Sequence, residues 1–410
     1  MKKMVIFPSK IEGKVRISGS KNASLPIIAA SVVSARESII KNVPDISDIN
    51  NMNTILKRVG YTVKKRRRTL LLKGTCEDLK LDFDEVKKFR ASYYLMSVFL
   101  ALFNKVYISL PGGCKIGLRP IDFHLDGFKS AGCDVVAGDD YVYISAKRLH
   151  PFIYKMPKKS LGATVNLIIL ASKIEGKSVI ENASTEPEID DLIKYINKGN
   201  AKVYRVKNDI VIYGNIKFKN KIVHKIIPDR IEAFTYMCIG VNSKKLKIKN
   251  VEIKHLSSPI KCFSLANVKY KIKGNSITIY KSNLNSISVS SNHYPELSTD
   301  QMPLMYPLFI RANDTSSFEE VIFNSRFSVC DELKKTNANI IVKDNKVIIN
   351  KSNDLVGASF YPTDLRCAAS LLIEGIINGD STINNLEYLE RGYDNIYNKL
   401  KKIGLNFKID

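Results

Sequence analysis

Residues 21–43, KNASLPIIAASVVSARESIIKNV, decide the fold. Eleven apolar or small residues from Ala23 to Val33 leave no polar face, so the stretch reads as a helix buried on all sides. Ser38-Ile39-Ile40 then reads as a short β-branched strand. A helix with no wet face followed at once by a strand needs further elements around it. The surrounding chain supplies them by repetition.

Five further segments show the same helix-then-strand pattern. They start at Arg90 (RASYYLM to KVYISL), Gly162 (GATVNL to KSVIEN), Asp229 (DRIEAF to KLKIKN), Asp300 (DQMPLM to SFEEVI) and Asp364 (DLRCAA to STINNL). Successive starts are 69, 72, 67, 71 and 64 residues apart, so the repeat spans the chain. A second series keeps the same period: RVGYTV at Gly60, SAGCDVV at Gly132, NKGNAKV at Gly199, LANVKYKI at Asn267, TNANIIV at Asn337 and KIGLNFKI at Gly404. Gly or Asn there predicts the left-handed residue that ends an amphipathic helix, with a strand after it. In five of the six a second strand follows. Each unit is therefore strand, helix, strand, helix, hairpin. Six such units make a solenoid or two bodies of three.

The 410 residues are 45% hydrophobic and 25% charged, which excludes a disordered, collagen-like or coiled-coil chain. No apolar run reaches 18 residues, and the opening MKKMVIFPSKIEGK turns charged before a signal-peptide core forms, so a soluble cytoplasmic protein is expected. Seven scattered cysteines argue against a disulfide framework. No CxxC, HExxH, GxxxxGK[ST] or GxGxxG is present, which removes the usual metal, NTPase and dinucleotide readings.

Lys and Arg number 64 against 40 Asp and Glu, a formal charge of +24. That suits a nucleic-acid binder, an enzyme of polyanionic substrates, or a chain that uses Lys freely. The cations are dispersed in sequence. The dense run Lys64-Lys65-Arg66-Arg67-Arg68 lies between two strand-like stretches and reads as the tip of a hairpin.

Several groups suit an anionic substrate. Lys21 and Asn22 open the first helix, where free N–H groups and the helix dipole favour an anion. Arg119, Arg366 and Arg391 offer guanidinium forks for carboxylate or phosphate oxygens. Cys114 lies in Pro111-Gly112-Gly113-Cys114-Lys115, where Lys115 and Arg119 favour its thiolate. Asp229, Asp300 and Asp364 each open a repeat helix, and all three can be read as helix-start acids.

The βαβαββ order, with SGSKNASLP at Ser18, RAS at Arg90, LPGGCKIGLRPIDFHL at Leu110, ENASTEPEI at Glu181, PDRIE at Pro228, STDQ at Ser298, NSRF at Asn324, YPTDLR at Tyr361 and RGYDNI at Arg391, resembles the enolpyruvyl transferases. The Cys-containing loop is similar to that of the branch acting on UDP-N-acetylglucosamine. The sister branch acting on shikimate 3-phosphate has no equivalent loop.

The resemblance implies an α/β fold of two inside-out α/β barrels, each of three βαβαββ units with internal pseudo-threefold symmetry. One barrel would comprise residues 1–20 plus 230–410, the other 21–229 with the Cys114 loop, and substrates would lie in the cleft between them. It implies transfer of the enolpyruvyl group of phosphoenolpyruvate to the 3′-hydroxyl of UDP-N-acetylglucosamine, the first committed step of peptidoglycan synthesis.

By the same resemblance, Lys21, Asn22, Arg119, Arg366 and Arg391 hold phosphoenolpyruvate. Cys114 is the proton donor to the enol carbon and the target of fosfomycin-type epoxides, Asp300 is the general base, and Lys21 and Arg391 also belong to the catalytic set. UDP-N-acetylglucosamine contacts fall on Arg90, Arg119, Pro120, Ile121, Asp122, Phe123, Lys158, Lys159, Ser160, Leu161, Asp300 and Ile322, with Glu188 and Asp364 in support. No cofactor, metal, nucleic-acid partner or membrane is expected, and a monomer is. Two rival readings are the shikimate-pathway transferase and a non-catalytic basic paralogue that binds nucleic acid.

Overall fold

The structure, a computed structural model, describes residues 2–77, 80–110, 121–215, 217, 219–323 and 327–410. The described chain forms two compact units, residues 19–110 with 121–227 and residues 2–18 with 228–410. Each has its own hydrophobic core.

The centre of each unit is helical. In one, the helices Lys21–Ser34, Tyr94–Phe103 and Leu161–Lys173 pack on one another; in the other, Arg230–Gly240 and Leu365–Asn378 pack together with the 3₁₀ turn Met302–Met305. Twelve of the fourteen residues of Lys21–Ser34 are buried, as its all-apolar sequence requires. The hydroxyls in these helices are satisfied locally: Ser24 donates to the Ser20 carbonyl at 2.7 Å, Ser34 to Ala30 at 2.7 Å and Thr235 to Ile231 at 3.0 Å.

The sheets lie outside the helices. In a complete unit, such as residues 153–213, the incoming strand Ile153–Lys155 runs parallel to Lys177–Glu181, which pairs with the hairpin strands in the order 177–181, 209–213, 202–206. Alternation sends Ile180, Ile210, Ile212 and Val203 inward.

Left-handed residues sit at Gly60, Gly132, Asn267, Asn337 and Gly404, as the sequence predicts. The third unit differs. Its helix Pro187–Asn197 ends through Lys198 and Gly199, and the positive φ falls on Asn200 (81°) instead of Gly199. Asn also tolerates this conformation, so the cap moves one residue along. The Lys64–Arg68 run also differs: Lys64, Lys65 and Arg66 belong to the strand Tyr61–Arg66, and the turn is at Arg67 (φ 53°).

Three pairings are not local. Glu12–Arg16 precedes the first buried helix in sequence but runs parallel to Lys245–Lys249, in the fourth unit. Lys219–Lys225 precedes the fourth buried helix but runs parallel to Ala35–Lys41, in the first. Met4–Ile6 enters the sixth sheet between Ser381–Ile383 and Phe407–Ile409, replacing the hairpin strand that unit lacks. Among the described residues no helix is long and apolar enough to cross a membrane.

Candidate functional site

Candidate side chains gather at helix starts in each unit. In the unit of residues 19–227, Ser20 caps the helix Lys21–Ser34 by accepting from the Ala23 N–H at 3.3 Å. Lys21 and Asn22 therefore stand at its positive end. The Lys21 ammonium lies 2.6 Å from Asp48, and the two side chains are only 15% and 5% exposed. Asp48 holds the flexible cation in one place.

A second group surrounds Arg90, whose guanidinium lies 5.5 Å from the centre of the Tyr93 ring. Burial pushes that guanidinium down, against the opposing pull of Tyr93 and Tyr94. Burial pushes Tyr94 up to about 12, with Arg90 opposing and Glu188 and Glu186 adding to the rise. Glu188 is buried in the first turn of Pro187–Asn197, so it belongs to this group.

His124 lies against Tyr93, edge to face at 6.2 Å, and burial together with Arg90 pushes it down to about 3. The Asn166 amide donates to the Tyr93 carbonyl at 3.0 Å, which fixes its orientation, and approaches His124 Nδ1 at 2.7 Å. Nδ1 therefore accepts, and the neutral ring carries its proton on Nε2. A Cβ on Gly162 would lie 3.1 Å from the His124 ring. Glycine there lets the start of Leu161–Lys173, capped by Ser160, approach the start of Asp122–Ser130. Ser160, Leu161, Asp122 and Phe123 are thereby brought together beside Arg90, with Lys158 exposed and Lys159 half-buried just before and Ile121 half-buried.

In the other unit the three helix-start acids separate into two kinds. Asp229 accepts from the N–H groups of Ile231 (2.8 Å) and Glu232 (2.9 Å), and Asp364 from those of Arg366 (2.7 Å) and Cys367 (3.2 Å), so both are caps. Asp300 instead accepts from the Arg366 guanidinium at 2.9 Å. Burial alone would lower Arg366, but Asp300, with Tyr393 and Asp229 behind it, outweighs burial and holds the charge firmly on.

Arg391 follows the short helix Glu387–Glu390 and is half-buried. A Cβ on Gly392 would meet Leu365 Cδ2 at 2.4 Å, so glycine lets this loop pack on the start of Leu365–Asn378, where Arg366 sits. The loop is pinned beyond that point. Tyr393 shares a 2.8 Å hydrogen bond with Thr235, and Asp394 accepts from Ser18 at 2.9 Å. The Lys399 ammonium bonds Ser18 at 2.6 Å and also Glu232.

Glu320 joins the Asp300 loop to Ile322. It is 1% exposed. Its Oε2 accepts from the Thr299 hydroxyl at 2.7 Å; its Oε1 accepts from Ser291 Oγ (2.7 Å), Ile322 N (2.8 Å) and Phe323 N (3.2 Å). Sequence reasoning missed Glu320, Asp48, His124 and Asn166. Asp48 opens a helix after Pro44 and Asp45, a signal that was available; His124 and Asn166 lie inside the quoted stretches LPGGCKIGLRPIDFHL and GATVNL but were not singled out there.

Cys114, Arg119, Pro120 and Arg326 lie outside the described residues. Among the described cysteines, burial pushes Cys133, Cys330 and Cys367 up to about 12, Cys262 to about 11 and Cys238 well above the ordinary thiol range. These five are protonated and inert at neutral pH. Among the described residues no group of three or more His, Cys, Asp or Glu could hold a metal ion.

The family model described as EPSP synthase (3-phosphoshikimate 1-carboxyvinyltransferase) matches residues 6–400. The UDP-N-acetylglucosamine 1-carboxyvinyltransferase of Halothermothrix orenii is 36% identical over 402 residues, covering 97% of each chain. That of Pelagibacter ubique is 36% identical, covering 100% of this chain and 99% of its own. Among solved structures, the enolpyruvyl transferase NikO from Streptomyces tendae superposes with a TM-score of 0.91 at 20% identity, covering 100% of this chain and 98% of that one. EPSP synthase from Acinetobacter baumannii superposes with a TM-score of 0.77 at 16% identity, covering both chains fully. The fold they share with this chain is the two-domain inside-out α/β fold.

Proposed function

Because this chain belongs to the enolpyruvyl transferase family, we propose that it transfers the enolpyruvyl group of phosphoenolpyruvate to the 3′-hydroxyl of UDP-N-acetylglucosamine, with release of phosphate. The observation that carries this reading is the 36% identity, over nearly the whole chain, to enzymes named for that reaction. In the proposed chemistry the 3′-oxygen attacks C2 of phosphoenolpyruvate while a proton is added to C3. Loss of a proton from C3 with expulsion of phosphate then gives the enol ether. Asp300 takes the hydroxyl proton and Cys114 delivers the one for C3. Lys21, Asn22, Arg119, Arg366 and Arg391 face the phosphate and carboxylate, and Arg90, residues 119–123 and 158–161, Asp300 and Ile322 face the nucleotide sugar.

The Asp300–Arg366 pair supports this assignment, since it separates Asp300 from the two capping acids. The arrangement also has a physical tension. A carboxylate beside a firmly charged guanidinium is a weak base, so Arg366 must turn toward phosphoenolpyruvate before Asp300 can accept a proton. We also assign the domains as 1–20 plus 230–410 and 21–229, a division supported by compact units whose limits fall two residues earlier. Site of action is the cytoplasm in this reading.

The test is phosphate release from phosphoenolpyruvate with either UDP-N-acetylglucosamine or shikimate 3-phosphate as acceptor. Release with the first alone is expected; release only with the second, the acceptor in the matched family model's description, would transfer the reading to the sister branch. Fosfomycin should label the parent and spare Cys114→Ala, because five of the other thiols are buried and protonated. Labelling that persists in the variant would move the role to another cysteine, with half-buried Cys76 first in line.

A further inference from the structure

Part of the charge excess that is dispersed in sequence gathers on the outer faces of individual sheets. The sheet of strands Lys219–Lys225, Ala35–Lys41, Thr69–Gly74 and Tyr61–Arg66 buries Ile222, Ser38, Ile40, Leu70 and Leu72 on its inner side. Register sets three rows on its outer side: Lys221, Glu37, Lys73, Thr62; then Val223, Ile39, Leu71, Lys64; then Lys225, Lys41, Thr69, Arg66. With strands about 4.8 Å apart and alternate residues about 6.7 Å apart, this is a face of about 14 by 13 Å. It carries six cations and one carboxylate, and Glu37 is already paired with Lys221 at 2.8 Å. The five remaining cations, Lys41, Lys64, Arg66, Lys73 and Lys225, are all exposed.

The middle row distinguishes this face from simple surplus charge. Val223 (44% exposed), Ile39 and Leu71 form an aliphatic strip across three strands, with cations on both sides. The outer face of the sheet built on Glu12–Arg16 and Lys245–Lys249 is equally basic, with Lys14, Arg16, Lys245, Lys247, Lys271 and Lys273 among its residues, but its partner positions are Thr278 and Ser276 and it has no such strip.

We propose that the face around Val223, Ile39 and Leu71 docks on an anionic lipid bilayer, the cations engaging headgroups and the aliphatic row entering the interface. Point-charge lysines with an apolar centre suit a bilayer surface. The three rows contain no aromatic ring, so nothing there stacks on bases as single-stranded nucleic acid requires. This docking uses Lys64 and Arg66 of the Lys64–Arg68 run, which the proposed reaction leaves unused, and it does not depend on that reaction.

The experiment is co-sedimentation of the full chain with vesicles of phosphatidylcholine alone or with about one-third phosphatidylglycerol. Binding is expected to the anionic vesicles only, and to weaken steeply with salt. Lys41→Glu/Lys64→Glu/Arg66→Glu should weaken it at least tenfold. Lys14→Glu/Lys247→Glu/Lys271→Glu makes the same change in net charge on the other sheet and should stay within about twofold of the parent. Ile39→Ser/Leu71→Ser should weaken binding severalfold with all charges kept. Thermal midpoints and phosphate release near parent values would show that each variant folds. Equal loss from both charge reversals would reduce the effect to net charge and overturn the proposal. So would no binding to anionic vesicles at low salt, or binding of a single-stranded oligonucleotide in place of vesicles.

Discussion

Replacing Glu320 with alanine removes the acceptor for four donors at once: the hydroxyls of Ser291 and Thr299 and the N–H groups of Ile322 and Phe323. A buried donor left without a partner costs about 1–3 kcal/mol. Ser291 is fully buried and incurs that cost, whereas Thr299, Ile322 and Phe323 are half-buried and recover part of theirs from water. The sum is about 3–5 kcal/mol. For a unit of about 200 residues, at roughly 2–4 °C per kcal/mol, the thermal midpoint should fall by about 6–20 °C. Glu320→Gln separates hydrogen bonding from charge. Its amide oxygen can keep the three bonds of Oε1, and the Thr299 hydroxyl can rotate to accept from the amide nitrogen, so the loss should be near 1 kcal/mol. Function should follow the same order. Thr299 adjoins Asp300 and Ile322 is an assigned sugar contact, so the alanine variant should show a raised KM for the nucleotide sugar and a smaller change for phosphoenolpyruvate. Thermal scans and steady-state phosphate release measure both effects. An alanine variant melting within about 2 °C of the parent, or a glutamine variant falling as far as alanine, would refute the reasoning.

Three further expectations follow from the same geometry. Asp300→Asn should lower phosphate release by about 10²- to 10⁴-fold with little change in thermal midpoint; a loss under tenfold would remove Asp300 as the base. His124 titrates near 3 when folded against about 6.5 when unfolded, so the unfolded chain binds more protons between those values and stability falls as pH drops through that window. Urea unfolding should therefore show the parent losing about 2 kcal/mol more than His124→Gln between pH 7 and pH 5, and equal losses would contradict a neutral buried ring. Asp364→Ala removes the cap on Arg366 and Cys367 and should cost about 1–2 kcal/mol in the same denaturation assay, with no loss if the cap contributes nothing.

The repeat was legible because each unit writes its helix end in glycine or asparagine, and Gly60, Gly132, Asn267, Asn337 and Gly404 do have positive φ. Asn200 departed because Gly and Asn stand side by side there and either suits the position. The exchange of Glu12–Arg16 and Lys219–Lys225 between units, and the entry of Met4–Ile6 into the last sheet, were not legible from local pattern, since a strand's sequence does not name its partner. The family resemblance implied only that residues 1–20 belong with 230–410, and named none of these pairings. In the site, cations and acids at helix starts could be picked out one by one, but local pattern reads Asp229, Asp300 and Asp364 alike; the family resemblance singled out Asp300, which in the structure differs from the two caps by accepting from Arg366. Glu320 and His124 act through partners up to 42 residues away, so no local spacing marks them.

Met4–Ile6 and Glu12–Arg16 leave the ribosome ahead of the other described strands, yet their partners Lys245–Lys249, Ser381–Ile383 and Phe407–Ile409 are made much later. The unit of residues 19–227 can close once its own strands have emerged, while the opening segment waits unpaired for Lys245–Lys249 and then for Phe407–Ile409. Synthesis therefore imposes an order on folding, inner segment first. The waiting edge strands are the part of the nascent chain most open to wrong pairing, and the ones a chaperone would need to cover.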